Sequence, residues 1–322
     1  MYQARLRFYE QYKTQGFVDL NDIIQCFLDW VNLDEYFVIR KKIYSIGFYI
    51  QKALVRKCSK RGNDVYSYRV SKRFNLLYDA LGTYEIEKDD CYVLKSDILF
   101  FTLTYNVRDI FRTYENAGKD YNRFMSNLRK IFPRAKTIVR CFEAQKDGVL
   151  HIHALIWIGT HIDVAPWFNT EGVKVFIVKS YELWLKLKNC WKYGFCDIKG
   201  FVRFRDGLKY IFKYIKKATD IDYSDNSLTT LALNWLFRKR SFSINYKLLR
   251  FLFNIRVHTT NKHNSNSRVI LQCLGLVIEY EFIGIFSKKQ LGLENDRWFY
   301  EFDEFPETLI NLFWGKWETS FK

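Results

Sequence analysis

Only three prolines interrupt 322 residues, so the chain has few enforced breaks and no low-complexity segment or internal repeat. Seven cysteines, at 26, 58, 91, 141, 190, 196 and 273, form no Cys-x-x-Cys pair and are odd in number. A disulfide framework and a zinc ribbon are both excluded by that pattern, which leaves reduced thiols in an intracellular protein. Met1-Tyr2-Gln3-Ala4-Arg5 leads into charged residues with no apolar signal region. No long uncharged run offers a membrane span. The best candidate, Val269 to Phe286, carries Glu279 and Glu281 and is read as paired buried strands.

What the chain has in quantity is positive charge and aromatic rings. It carries 51 Lys+Arg against 35 Asp+Glu, a net +16, and 19% of its residues are Phe, Trp or Tyr. A hydrophobic content of 48% is ample for a packed core. Basic surface with many flat rings suits a polyanion that also offers faces to stack on, which describes nucleic acid. The charge is uneven: residues 199–256 hold 13 Lys+Arg and 4 Asp, whereas 294–322 hold 7 acidic and 3 basic residues.

Residues 1–92 read as a basic, mostly helical extension with a possible role in DNA recognition. Asp19 caps a helix from Leu20 to Trp30, and Gly62-Asn63-Asp64 is a hairpin-like turn amid Arg56, Lys57, Lys60, Arg61, Arg69, Lys72 and Arg73. Residues 93–222 alternate strands and helices. Ile98 to Tyr105 is a strand; Tyr121, Phe124, Met125, Leu128 and Phe132 mark a helix stopped by Pro133. Thr137–Gln145 and Val149–Ile158 are strands joined at Lys146-Asp147-Gly148. A helix over Tyr181–Lys192 ends at an αL-type Gly194, and Asp206 caps Gly207–Ala218. Residues 223–322 form a C-terminal extension of unassigned role.

Chemistry concentrates in two places. His151-Ile152-His153 lies in a strand whose period of two throws both imidazoles onto one face. Alone, the pair is compatible with an incidental His-x-His or with a metal site. A three-residue loop at 146–148, with Gly148 in αL, pairs residue 143 with 151 and sets Glu143 beside the imidazoles; a two-residue turn sends Glu143 to the other face. The second place is the helix Gly207–Ala218. Leu208, Ile211, Phe212 and Ile215 form one stripe, and Tyr210, Lys213, Tyr214 and Lys217 form another. That pattern fits an ordinary amphipathic helix. Beside a metal site it also fits covalent chemistry: a phenol, with a lysine one turn away to ease its ionisation, attacks a phosphodiester.

These residues resemble the HUH endonucleases, specifically the rolling-circle replication initiators (Rep proteins) of plasmids and viruses. Phe101-Thr102-Leu103-Thr104-Tyr105 looks like their first motif, His151-Ile152-His153 is similar to the second, and Glu143 matches its acidic companion. Tyr210-Ile211-Phe212-Lys213-Tyr214 resembles the two-tyrosine form of the third, and Trp191-Lys192-Tyr193-Gly194 looks like the segment between motifs. The resemblance spans roughly residues 95–220. It implies an α+β HUH nuclease domain: a central antiparallel sheet flanked by helices, with N- and C-terminal extensions. It implies a metal site at His151, His153 and Glu143 that takes Mn²⁺ or Mg²⁺, and catalysis by Tyr214, Tyr210 and Lys213. Relatives with one tyrosine keep the one after the lysine, which favours Tyr214 for the first cut.

The implied activity is nicking and rejoining of single-stranded origin DNA through a 5′-phosphotyrosine. No Gly-x-x-x-x-Gly-Lys-Ser/Thr loop is present, so a separate helicase and a host polymerase are the expected partners, with no membrane. Thr104, Lys217, Arg238, Lys239 and Arg240 are candidate DNA contacts. Two other readings stay open: a two-tyrosine transposase with the same chemistry, and a non-catalytic binder of single strands.

Overall fold

The computed structural model describes residues 2–45, 48–82, 94–168, 174–221, 224, 226–253, 268–273 and 276–302. In chain order its elements are α1 (Tyr2–Gln15), α2 (Leu20–Val31), β1 (Glu35–Ser45), β2 (Phe48–Lys57), α3 (Asp64–Gly82), β3 (Lys95–Tyr105), α4 (Ile110–Ile131), β4 (Lys136–Ala144), β5 (Leu150–Phe168), β6 (Lys174–Val178), α5 (Tyr181–Lys188), β7 (Gly194–Phe201), α6 (Phe204–Lys217), α7 (Ser227–Leu236), β8 (Phe242–Ile244), α8 (Tyr246–Phe253), β9 (Arg268–Cys273), β10 (Leu276–Ser287) and β11 (Phe299–Phe302). The class is α+β with antiparallel sheets, as expected. The chain divides into two units, residues 1–28 with 61–258 and residues 29–60 with 259–322. The expected segments 1–92, 93–222 and 223–322 cut across both.

In the first unit the sheet runs β7–β3–β5–β4–β8, and the far half of the long β5 pairs with β6. β3 is almost wholly apolar because both of its faces are covered. Phe101 meets Phe124 of α4, and its neighbour Phe100 meets Tyr210 of α6. Both phenylalanines are fully buried, and each burial contributes about 2–3 kcal/mol. α4 begins earlier than the 121–132 stripe, at Ile110, where the Asp109 carboxylate accepts from the Arg112 amide. Its buried face then runs through Tyr114, Ala117, Tyr121, Phe124 and Leu128. Beyond β8, the outer edge of β4 is closed by α7: Thr230 Oγ1 accepts from the Ala144 amide at 2.9 Å, and Asn234 Nδ2 donates to the Phe142 carbonyl at 3.2 Å.

Several local expectations are revised. α5 stops at Lys188, and Gly194 opens β7 instead of capping a helix. A side chain there would collide with the Thr104 carbonyl of the adjacent strand. α6 begins at Phe204, with Arg203 at the cap and Asp206 inside the first turn, ion-paired to Arg203. Residues 62–64 lead into α3 and form no hairpin. Arg61 there is spent internally, donating to the Lys239 carbonyl. The stretch 1–92 is not mostly helical, because β1 and β2 occupy residues 35–57.

The second unit is a five-stranded sheet, β11–β2–β1–β10–β9, around Tyr36, Val38, Ala53, Val55 and Leu291. Residues 268–287 are indeed paired strands, but Phe282 and Ile285 are exposed instead of buried. Lys60 is buried against the Trp30 and Leu33 carbonyls and paired with Glu35. Among the described residues no helix is long and apolar enough to cross a membrane. Cys26, Cys58, Cys141, Cys190 and Cys196 are free thiols; Cys91 lies outside the described residues.

Candidate active site

The β4–β5 connection is the three-residue loop. The Gln145 amide donates to the Val149 carbonyl at 2.8 Å, the Gly148 amide donates to the Gln145 carbonyl at 3.0 Å, and Gly148 has φ +82°. A side chain at 148 would be strained there and would press on Ile110. The register follows: Glu143 pairs with His151 and Cys141 with His153. On the other side of β5, Thr104 pairs with His151 and Thr102 with His153. One face of the sheet therefore carries Glu143, both imidazoles and both threonines.

On that face the ligand atoms of Glu143, His151 and His153 all lie within 4.8 Å of one another. His153 Nε2 is 2.6 Å from Glu143 Oε2, and His153 Nδ1 is 3.3 Å from Thr102 Oγ1. Lys217 Nζ donates to the other carboxylate oxygen at 2.7 Å. Nε2 of His151 is buried without a hydrogen-bond partner. An orphaned acceptor beside an imidazole and a carboxylate is costly unless something binds there, so the donor set fits a divalent ion. Imidazole nitrogens favour Mn²⁺ over Mg²⁺ in affinity.

Electrostatics prepares the same three groups. Burial pushes the Glu143 carboxyl up, but His153 and Lys217 outweigh it and bring its pKa down to about 2. Burial, then neighbouring His153, lowers His151 to about 4. Burial also lowers His153, against the pull of Glu143. At neutral pH the set is thus one carboxylate and two neutral imidazoles, the protonation states a metal requires.

α6 lies against this face, close enough that a side chain at Gly207 would press on Leu155 and Phe201. The Tyr214 ring stacks on His153 at 3.8 Å and 24°. Phe100 meets both phenols, edge-on to Tyr210 at 4.8 Å and stacked with Tyr214 at 5.6 Å. The Tyr214 hydroxyl donates to Tyr210 Oη at 3.3 Å, and Lys199 Nζ of β7 donates to the same oxygen at 2.7 Å. Burial, then the hydrogen bond with Tyr210, raises the Tyr214 phenol far above its usual range. Lys199 stays cationic: burial lowers its pKa, but its bonds to Tyr210 and Asp197 more than offset that.

The expected residues are therefore not all together. Glu143, His151, His153, Tyr210 and Tyr214 converge. Lys213 is exposed and makes no hydrogen bond or ion pair among the described residues. Lys217, expected on DNA, holds Glu143. Thr104 shares the His151 row, and its carbonyl accepts from Trp191 Nε1. Lys239 is near Arg140 and Glu115. Arg140 packs on Tyr121 of α4, so that neighbourhood is the opposite face of the sheet from the imidazoles. Arg238 and Arg240, on either side of Lys239, are exposed. Sequence reasoning misses Lys199, although Asp197-Ile198-Lys199 carries the period of two that marks a strand.

Comparison with known proteins adds one finding. No curated protein and no solved structure matches the chain. Residues 98–219, from β3 to just past α6, match the family model described as Replication-associated protein ORF2, and every converging residue lies within that span. The match supports a Rep-type replication protein.

Proposed function

We propose that the protein initiates rolling-circle replication by nicking and rejoining single-stranded origin DNA through a 5′-phosphotyrosine, in the manner of two-tyrosine HUH endonucleases. The observation that carries this reading is the partnerless Nε2 of His151, set beside Glu143 and His153 with the Tyr214 ring stacked on the latter. A divalent ion, Mn²⁺ or Mg²⁺, held by Glu143, His151 and His153 would supply Lewis-acid polarisation of the scissile phosphodiester. Lys217 fixes the carboxylate, and Thr102 and Tyr214 fix the His153 ring.

The nucleophile in this reading is a phenol, and the two phenols are not equivalent. Tyr210 Oη accepts from Lys199 and from Tyr214, so negative charge is favoured on Tyr210; Tyr214 is the donor and keeps its proton. Tyr210 therefore makes the first cut, in place of Tyr214, which the motif alone favours. Its oxygen bonds to phosphorus, the bond from phosphorus to the 3′ oxygen breaks, and that oxygen leaves as a 3′-hydroxyl. The phenolic proton passes to water, and water returns one to the leaving oxygen. Tyr214 then serves the rejoining or second cleavage.

The test is a denaturation-resistant adduct with an origin-derived single strand and Mn²⁺. His151→Ala and His153→Ala should abolish it while sparing DNA binding. Equal loss of both activities would make the histidines structural and overturn the reading.

A further inference from the structure

The row of the sheet that holds the candidate metal centre does not end at Thr104. Across β3, Thr104 pairs with Phe195 of β7, so Phe195 stands on the imidazole face two strands from His151, roughly 10 Å by strand spacing. Alternation agrees: Cys196 and Ile198 are buried, whereas Phe195, Asp197 and Lys199 face the other way. Phe195 is 54% exposed, an unusual state for a phenylalanine beside a buried polar site.

Off the edge of β7 the aromatic row continues onto α5. Lys188 Nζ lies 5.3 Å from the Phe195 ring centre and 4.9 Å from that of Trp184. Trp184 stacks on Tyr181 at 5.7 Å and 25°, and Tyr181 is 72% exposed. The acidic groups nearby are already matched to lysines: Glu182 with Lys186, and Asp197 with Lys199. The net result is a line of rings with one cation between them, beginning at the imidazole row and ending at the molecular surface.

We propose that Phe195, Lys188, Trp184 and Tyr181 form a stacking track for single-stranded nucleic acid that feeds the candidate metal centre. A single strand has the matching chemistry, a phosphate for the ammonium and unpaired base faces for the rings. A duplex hides those faces, so it gains nothing from the rings. The track rests on the nuclease reading for its purpose but not for its test.

Binding of a fluorescent mixed-sequence single strand is measured in EDTA, where no cutting occurs, against the same sequence as duplex. Phe195→Leu and Trp184→Leu keep apolar bulk at surface positions. Each should weaken single-strand binding about tenfold and leave duplex binding unchanged, and Phe195→Trp should restore it. Lys188→Met should lower the magnitude of the salt slope by about 0.7. Leucine variants that bind single strands like the parent, or lose duplex equally, would overturn the track. A parent protein that forms no adduct with Mn²⁺ would overturn the nuclease reading and leave this result standing.

Discussion

Lys199 and Lys213 separate what the helix motif promises from what the fold delivers. Lys213 sits in the motif but points to solvent, whereas Lys199 comes from a neighbouring strand and bonds to the Tyr210 oxygen. Lys199→Met should therefore slow adduct formation about 10²-fold, the cost of removing one preorganised donor from a developing anion. It should also move the rising limb of the pH–rate profile to higher pH, as Tyr210 becomes harder to ionise. Lys213→Met should change little. Single-turnover rates from pH 6 to 10 check both, and equal losses would contradict this assignment.

His151 gives a second residue-scale prediction. Its folded pKa is about 4, below the ordinary value near 6.5, so the unfolded chain binds more protons between those two pH values. Metal-free protein should lose stability as pH falls through that window. Thermal melts in EDTA should show the loss, and His151→Gln should flatten it.

At the scale of elements, the β4–β5 loop sets the register that puts Glu143 beside the imidazoles. Gly148→Ala should destabilise the protein by about 1–2 kcal/mol, since residue 148 is left-handed and its new methyl meets Ile110. Denaturant titration measures this. The same loop shows why the site is legible: Lys146-Asp147-Gly148, Glu143 and His151 are local, and alternation and turn chemistry together determine their pairing. The tyrosine helix is legible as a helix but less so in its facing. At about 100° per residue Tyr214 lies only about 60° from Ile211, so the face against the sheet reaches it while Lys213 turns away. β7 is hidden because Gly194 resembles a helix cap, and its role is visible only against the Thr104 carbonyl. With β7 go Lys199 and Phe195.

For the molecule as a whole, the least legible feature is the second sheet, whose strands β1 and β2 find β10 and β11 more than two hundred residues away. No local pattern announces such a pairing. Removing residues 259–322 should leave β1 and β2 as a lone hairpin, marginal in water, while Glu143, His151 and His153 belong to the other unit. The truncated protein should aggregate more readily, as light scattering would report. The net charge of +16 adds a second whole-molecule expectation: binding to single strands should weaken steeply with salt.

The central claim is that a phenol of α6 becomes covalently joined to DNA beside Glu143, His151 and His153. Protease digestion and mass spectrometry of the adduct formed with an origin-derived single strand and Mn²⁺ test it most directly. The expected product is a nucleotide on Tyr210 in the parent, moving to Tyr214 in Tyr210→Phe. A nucleotide attached outside α6, or no covalent product on any origin-derived strand, would contradict it.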